Sequence, residues 1–137
     1  MKNILLILMV LVSLVSCEME EEVPVAFGDG TYVGTFSRSY PDAYCVMVSN
    51  VSLTFDKGKF AGDGDATYYP AICKGSYVFK GASIDFKNEC GFTANFDWTF
   101  VLDGTYKVST SADKLIISRG YDDGFTDMYI LTKMQAD

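Results

Sequence analysis

From Gly30 onward no window repeats apolar residues at the 3.6-residue spacing of an amphipathic helix. Runs of five to ten residues rich in Val, Ile, Thr, Tyr and Phe are instead punctuated by Gly, Asp and Lys about every twelve residues, the spacing of a sandwich or barrel. The pattern predicts strands at Thr31–Ser37, Val46–Phe55, Lys59–Tyr69, Ile72–Phe79, Ser83–Glu89, Ala94–Leu102, Thr105–Thr110, Lys114–Arg119 and Phe125–Lys133.

Lys80-Gly81-Ala82-Ser83 has Gly first in a two-residue loop, which favours a type II′ turn. That register sets Phe79 opposite Ile84, Tyr77 opposite Phe86 and Gly75 opposite Asn88, one mostly apolar face. It also sets Cys73 opposite Cys90 as a non-hydrogen-bonded pair, whose Cα atoms lie about 4.5 Å apart and within disulfide range. A Cys73–Cys90 bridge is therefore expected, closing an 18-residue loop and contributing on the order of 3 kcal/mol. Cys45–Cys73 and Cys45–Cys90 are the competing pairings, and the favoured one leaves Cys45 free.

Lys57-Gly58 joins two strands with Phe55 facing Phe60, and a turn over Ser111–Lys114 sets Val108 opposite Ile117. Asp103-Gly104 reads as a hairpin, with a one-residue bulge aligning Phe100 with Val108 and Leu102 with Tyr106. The apolar face then collects Tyr32, Phe36, Leu53, Phe55, Tyr77, Phe86, Trp98, Ile117, Tyr129 and their neighbours of the same parity. Eight or nine sequential strands with one apolar face leave no exposed edge only if the sheet closes. The fold expected is all-β, an up-and-down antiparallel β-barrel of 8–9 strands.

The first sixteen residues follow a different rule. Lys2 precedes an unbroken apolar run, Ile4–Val12, too short for a membrane span but the length of a signal-peptide core. Leu14-Val15-Ser16-Cys17 resembles the bacterial lipobox, which implies cleavage before Cys17 and fatty acylation (palmitate-type chains) of that residue. Two or three acyl chains anchor stably, because each buried CH₂ contributes about 0.8 kcal/mol. The acidic run Glu18–Glu22 resembles the surface-export signal of lipoproteins in one Gram-negative phylum. The chain thus divides into a lipoprotein signal peptide (1–16), an acidic tether (17–29) and a barrel domain (30–137), with an outer-membrane, lipid-anchored, cell-surface location expected.

Composition narrows the chemistry. The 137 residues hold no His, 11 Lys plus Arg and 18 Asp plus Glu, for a net charge of −7. Without His there is no Ser-His or Cys-His nucleophile pair and no imidazole metal ligand. The acidic balance argues against nucleic acid. Asp63-Gly64-Asp65 and Asp122–Asp127 offer hard oxygens for Ca²⁺, yet neither follows the EF-hand spacing, and Asp and Gly populate turns for backbone reasons alone. Paired carboxylates for glycoside hydrolysis carry no signal among 18 acids, and Cys45 has no His to activate it. No catalytic residue, cofactor or metal is expected.

Gly30-Thr31-Tyr32, with Asn95-Phe96-Asp97-Trp98, Leu102–Tyr106, Lys114-Leu115 and Tyr129–Lys133, resembles the lipocalin-like domain of small bacterial lipoproteins across Gly30 to Lys133. Gly30-Thr31-Tyr32 stands where lipocalins carry G-x-W. Lipocalins also cover that aromatic with an Arg after the last strand, for which Arg119 and Lys133 are the nearest candidates; their helix before the final strand has no counterpart. The resemblance implies a monomeric, non-catalytic binder of a small apolar or glycan-like ligand, with Trp98, Tyr77, Phe86 and Tyr32 lining the site. The alternative is a protein-interaction or inhibitor module of the cell envelope, presenting loop aromatics such as Tyr40, Tyr44, Tyr68, Tyr69 and Tyr121.

Overall fold

A computed structural model describes residues 27–42 and 46–135. The apolar N-terminal stretch expected to be a signal peptide, Cys17, the acidic run, Tyr44 and Cys45 lie outside the described residues. Eight strands follow in order: β1 (Gly30–Ser39), β2 (Met47–Asp56), β3 (Lys59–Gly64), β4 (Lys74–Phe79), β5 (Ser83–Asn88), β6 (Gly104–Ser111), β7 (Lys114–Gly120) and β8 (Thr126–Lys133). Each pairs antiparallel with the next, and β8 returns to β1, closing the barrel.

Three hairpins follow the turn chemistry read from the sequence. β4 and β5 pair Phe79 with Ile84 and Tyr77 with Phe86, and the Lys80 N–H donates to the Ser83 carbonyl at 2.8 Å. Phe55 faces Phe60, and Val108 faces Ile117. Cys73 and Cys90 form a disulfide with Cα atoms 6.3 Å apart. The separation exceeds that of a regular ladder pair because both Cys lie just beyond the strand ends.

The ninth strand does not form. Ala94–Leu102 belongs to the long β5–β6 connection, and Trp98–Phe100 makes one 3-10 turn. Asp97 caps that turn by accepting the Thr99 N–H at 3.0 Å, an alternative to strand pairing that Asp offers its own backbone. Beyond it, Val101 and Leu102 are both buried, which period-two alternation on one face cannot achieve. They enter together because Ala71 bridges Val101 in parallel, with the Leu102 N–H donating to the Ala71 carbonyl at 3.1 Å.

Asp103-Gly104 is consequently no hairpin: Gly104 opens β6, which pairs with β5 through Ile84–Tyr106 and Phe86–Gly104. The expected Phe100–Val108 and Leu102–Tyr106 pairs do not form, while Ile84, Leu102 and Tyr106 join the core. The long strand expected at Lys59–Tyr69 stops at Gly64. The Asp65 carboxylate folds back there onto the Asn50 N–H, the Asn50 amide and the Ser49 hydroxyl, at 2.8, 2.6 and 2.8 Å.

Closure depends on inward glycines. A Cβ at Gly34 would run into the Ile130 carbonyl, and one at Gly75 into that of Lys87. At both positions the neighbouring backbone passes over the site, as sharply coiled strands of a small barrel require.

An up-and-down path divides the barrel ends unequally. The tight turns at 57–58, 80–82 and 112–113 share one end with the incoming chain at Phe27 and the end of β8. The described residues 40–42, 46, 65–73, 89–103 and 121–125 of the other four connections share the opposite end.

Candidate functional site

At the short-turn end, the ring of Phe27 lies 4.8 Å from Phe55, 5.1 Å from Phe79, 5.6 Å from Tyr77 and 6.1 Å from Tyr32. The Tyr32 hydroxyl donates to the Gly28 carbonyl at 2.8 Å, holding this segment across the barrel mouth. Lys133 stands over the Tyr32 ring, its Nζ 5.8 Å from the centroid. Of the two cations considered for covering that aromatic, Lys133 occupies the place, and Arg119 lies over Tyr121 instead.

The structure brings three of the four aromatics proposed for ligand binding into one cluster. Tyr32, Tyr77 and Phe86 surround Phe55, with centroids 5.6, 5.1 and 6.3 Å from it. Tyr32 and Phe86 are buried and Tyr77 is half-buried. Trp98 is not among them. It sits on the long-loop end, 52% exposed, because the strand meant to carry it inward does not form.

The long-loop end is closed by a buried ion pair. Arg38 near the end of β1 and Asp127 near the start of β8 are register partners, and each is 1% exposed. The Arg38 Nε donates to Asp127 Oδ1 at 2.6 Å and Nη2 to Oδ2 at 2.7 Å, a bidentate bond. The remaining guanidinium donors reach the Thr99 hydroxyl and carbonyl, both at 2.8 Å. Phe100 and Phe125 stack on the guanidinium at 3.8 and 4.4 Å, and the Tyr121 hydroxyl reaches Asp127 Oδ2 at 3.0 Å.

Among the described residues no buried side-chain polar atom lacks a partner. Burial alone would lower the Arg38 pKa, but the hydrogen bond and charge of Asp127 outweigh it and hold it above its ordinary value. Burial pushes the hydroxyls of Tyr106 and Tyr129 well up, so both stay protonated at neutral pH. The arrangement is a latch that ties the 97–101 and 121–125 segments to the barrel wall.

This pair was not anticipated from the sequence, where its one local signal is a break in parity. Arg38 follows Phe36 and Asp127 precedes Tyr129 at two-residue spacing, placing opposite charges on the inward face. The Phe27 contact had no such signal, since the sequence before Gly30 shows no strand-like alternation.

Outside the latch, Phe92 stacks with Phe96 at 5.1 Å and meets Trp98 edge-on at 5.9 Å. This aromatic patch stands on a braced base. The disulfide holds Cys90, the Asn88 side chain donates to the Cys90 carbonyl at 2.6 Å, and the Asn88 N–H donates to Asp103 at 2.8 Å. Tyr68 is 71% exposed nearby in sequence to Tyr69, which packs on Phe100 at 5.7 Å. An open groove of about 640 Å³ lies on the outer face of β1–β3, between Thr35, Asn50, Asp63 and Asp65. Asp65 is committed there to Asn50 and then Ser49, which hold its carboxyl below the usual value. Among the described residues no three His, Cys, Asp or Glu side chains come together as metal ligands.

The chain matches no protein-family model, no curated protein and no solved structure. Its eight-stranded closed antiparallel barrel is compatible with a lipocalin-like fold.

Proposed function

We propose that the chain is a lipid-anchored, non-catalytic binding protein of the outer membrane, displayed at the cell surface, whose barrel presents the long loops as an interaction module of the envelope. The observation that carries this reading is the division of the barrel ends. The chain enters beside Phe27 at the short-turn end, while the longer connections gather opposite. Cys17 lies ten residues before Phe27, a tether reaching at most about 35 Å, so the anchor holds the short-turn end toward the bilayer and the loops away from it. Cys17→Ala is expected to move the protein from the membrane fraction to the soluble fraction and to abolish its labelling on intact cells. Undiminished membrane retention would refute the anchor.

A second reading is favoured by Phe27 itself. Its ring occupies the mouth between Tyr32, Tyr77, Phe55 and Phe79, where a small apolar ligand of the kind expected from the inward aromatics would lie. Such a ligand would have to take the place of Phe27.

A further inference from the structure

We infer that the long-loop end docks a basic segment of a protein partner, with the exposed face of Trp98 taking an Arg or Lys side chain. This rests on the reading of the chain as a binding module and names the chemistry of its partner. Among the described residues the four long connections carry nine aromatic side chains, seven carboxylates and no Lys or Arg. The three short turns carry no aromatic residue, two Lys and one Asp. Glu89 is held by Lys59 at 3.1 Å, and Asp65 and Asp97 by neighbouring donors. The aromatic faces together with Asp122 and Asp123 form a surface complementary to guanidinium and ammonium groups.

The same end already uses this chemistry internally. Arg38 lies between Phe100 and Phe125 with Asp127 as its carboxylate, and Arg119 lies 4.7 Å over Tyr121 while donating to the Asp103 carbonyl. Both arginines of the barrel are thereby engaged by it. The surface repeats the ingredients and lacks the cation. Trp98 is 52% exposed beside Phe92 and Phe96, with Asp97 next to it in the chain. The Tyr121 hydroxyl approaches the Thr99 carbonyl at 3.1 Å, bringing the loop that carries Asp122 and Asp123 against the Trp98 turn. The disulfide and the Ala71–Val101 bridge fix the base of this loop, so the aromatic face is preorganised for a partner. A neutral polysaccharide could stack on the same rings but would gain nothing from the excess of carboxylates.

Fluorescence anisotropy with the full-length protein in neutral detergent tests this. The probes are a labelled 12-residue Arg/Gly peptide, a Gly/Ser peptide of equal length, and labelled maltohexaose. The Arg/Gly peptide is expected to bind saturably, about tenfold more weakly to Trp98→Ala, with binding reduced in 0.5 M salt. The double variant Asp122→Asn/Asp123→Asn, which leaves the aromatic patch untouched, is expected to bind about threefold more weakly. Equal binding of the Arg/Gly and Gly/Ser peptides, or peptide binding unchanged by both variants, overturns the inference. Maltohexaose binding lost in Trp98→Ala without peptide binding also overturns it, while leaving the anchored binding module standing. Failure of that broader reading shows separately, as membrane retention of Cys17→Ala.

Discussion

The two ends of this barrel are closed by opposite means. At the short-turn end an apolar ring from the incoming chain covers an aromatic cluster, with the Tyr32 hydroxyl and Lys133 at its rim. At the long-loop end two loops are tied down by a buried Arg–Asp pair with its donors and acceptors matched. An apolar plug is non-directional, and its stabilisation scales with the area it removes from water. A buried ion pair is directional and all-or-none, because removing one partner strands the other's charge. The difference teaches which end is built to specify a geometry: the one whose loops need a defined shape.

Three measurements sharpen or break that contrast. The largest effect is expected from Arg38→Ala, which leaves Asp127 buried and uncompensated and should cost about 3–5 kcal/mol in urea unfolding. A loss below about 1 kcal/mol would mean that the latch is not what holds this end.

Alkali comes next. Tyr106 and Tyr129 lie by the latch, and burial raises their folded pKa above the unfolded value of about 10. The protonated hydroxyls' contribution is fully present below pH 10. Above it the unfolded chain releases protons that the folded chain keeps, so stability falls by about 1.4 kcal/mol per pH unit for each tyrosine. Amide exchange should therefore accelerate first at 97–101 and 121–125, and acceleration confined to the Phe27 end would reverse the assignment.

The smallest effect belongs to the plug. Phe27→Ala is expected to cost about 1–2 kcal/mol, since the ring is half-buried, and to open a site for the apolar dye N-phenyl-1-naphthylamine. Dye binding by the variant, absent in the parent, would support the second functional reading. A variant that stays dark would leave the loops as the binding surface.

Much of the scaffold was legible because local rules set it. Gly81 after Lys80 selects a turn, the turn selects a register, and the register places Cys73 near Cys90. The same logic holds for Phe55 with Phe60 and Val108 with Ile117. It failed where a period-two pattern had a competing use. Phe96, Trp98 and Phe100 alternate as a strand would, but Asp97 captures the backbone of Thr99 and the partner strand is absent. The alternation therefore predicts Trp98 in the interior beside Tyr77, Phe86 and Tyr32, whereas it lies outside, 52% exposed.

Sequence alone thus determined the all-β class, the alternating face and the three tight turns, each set by interactions a few residues apart, and pointed to a closed up-and-down barrel because one apolar face leaves no other way to remove the edges. The proposed anchor rests on Leu14–Cys17, which resembles a lipobox and bears on chemistry rather than on fold. Tertiary structure decided the strand number, the Arg38–Asp127 latch and the place of Phe27 in the mouth. These depend on groups far apart in the chain, 89 residues for the latch, that meet only once the barrel has closed. No local propensity encodes such meetings, because their free energy is gained only when the intervening strands are already in register.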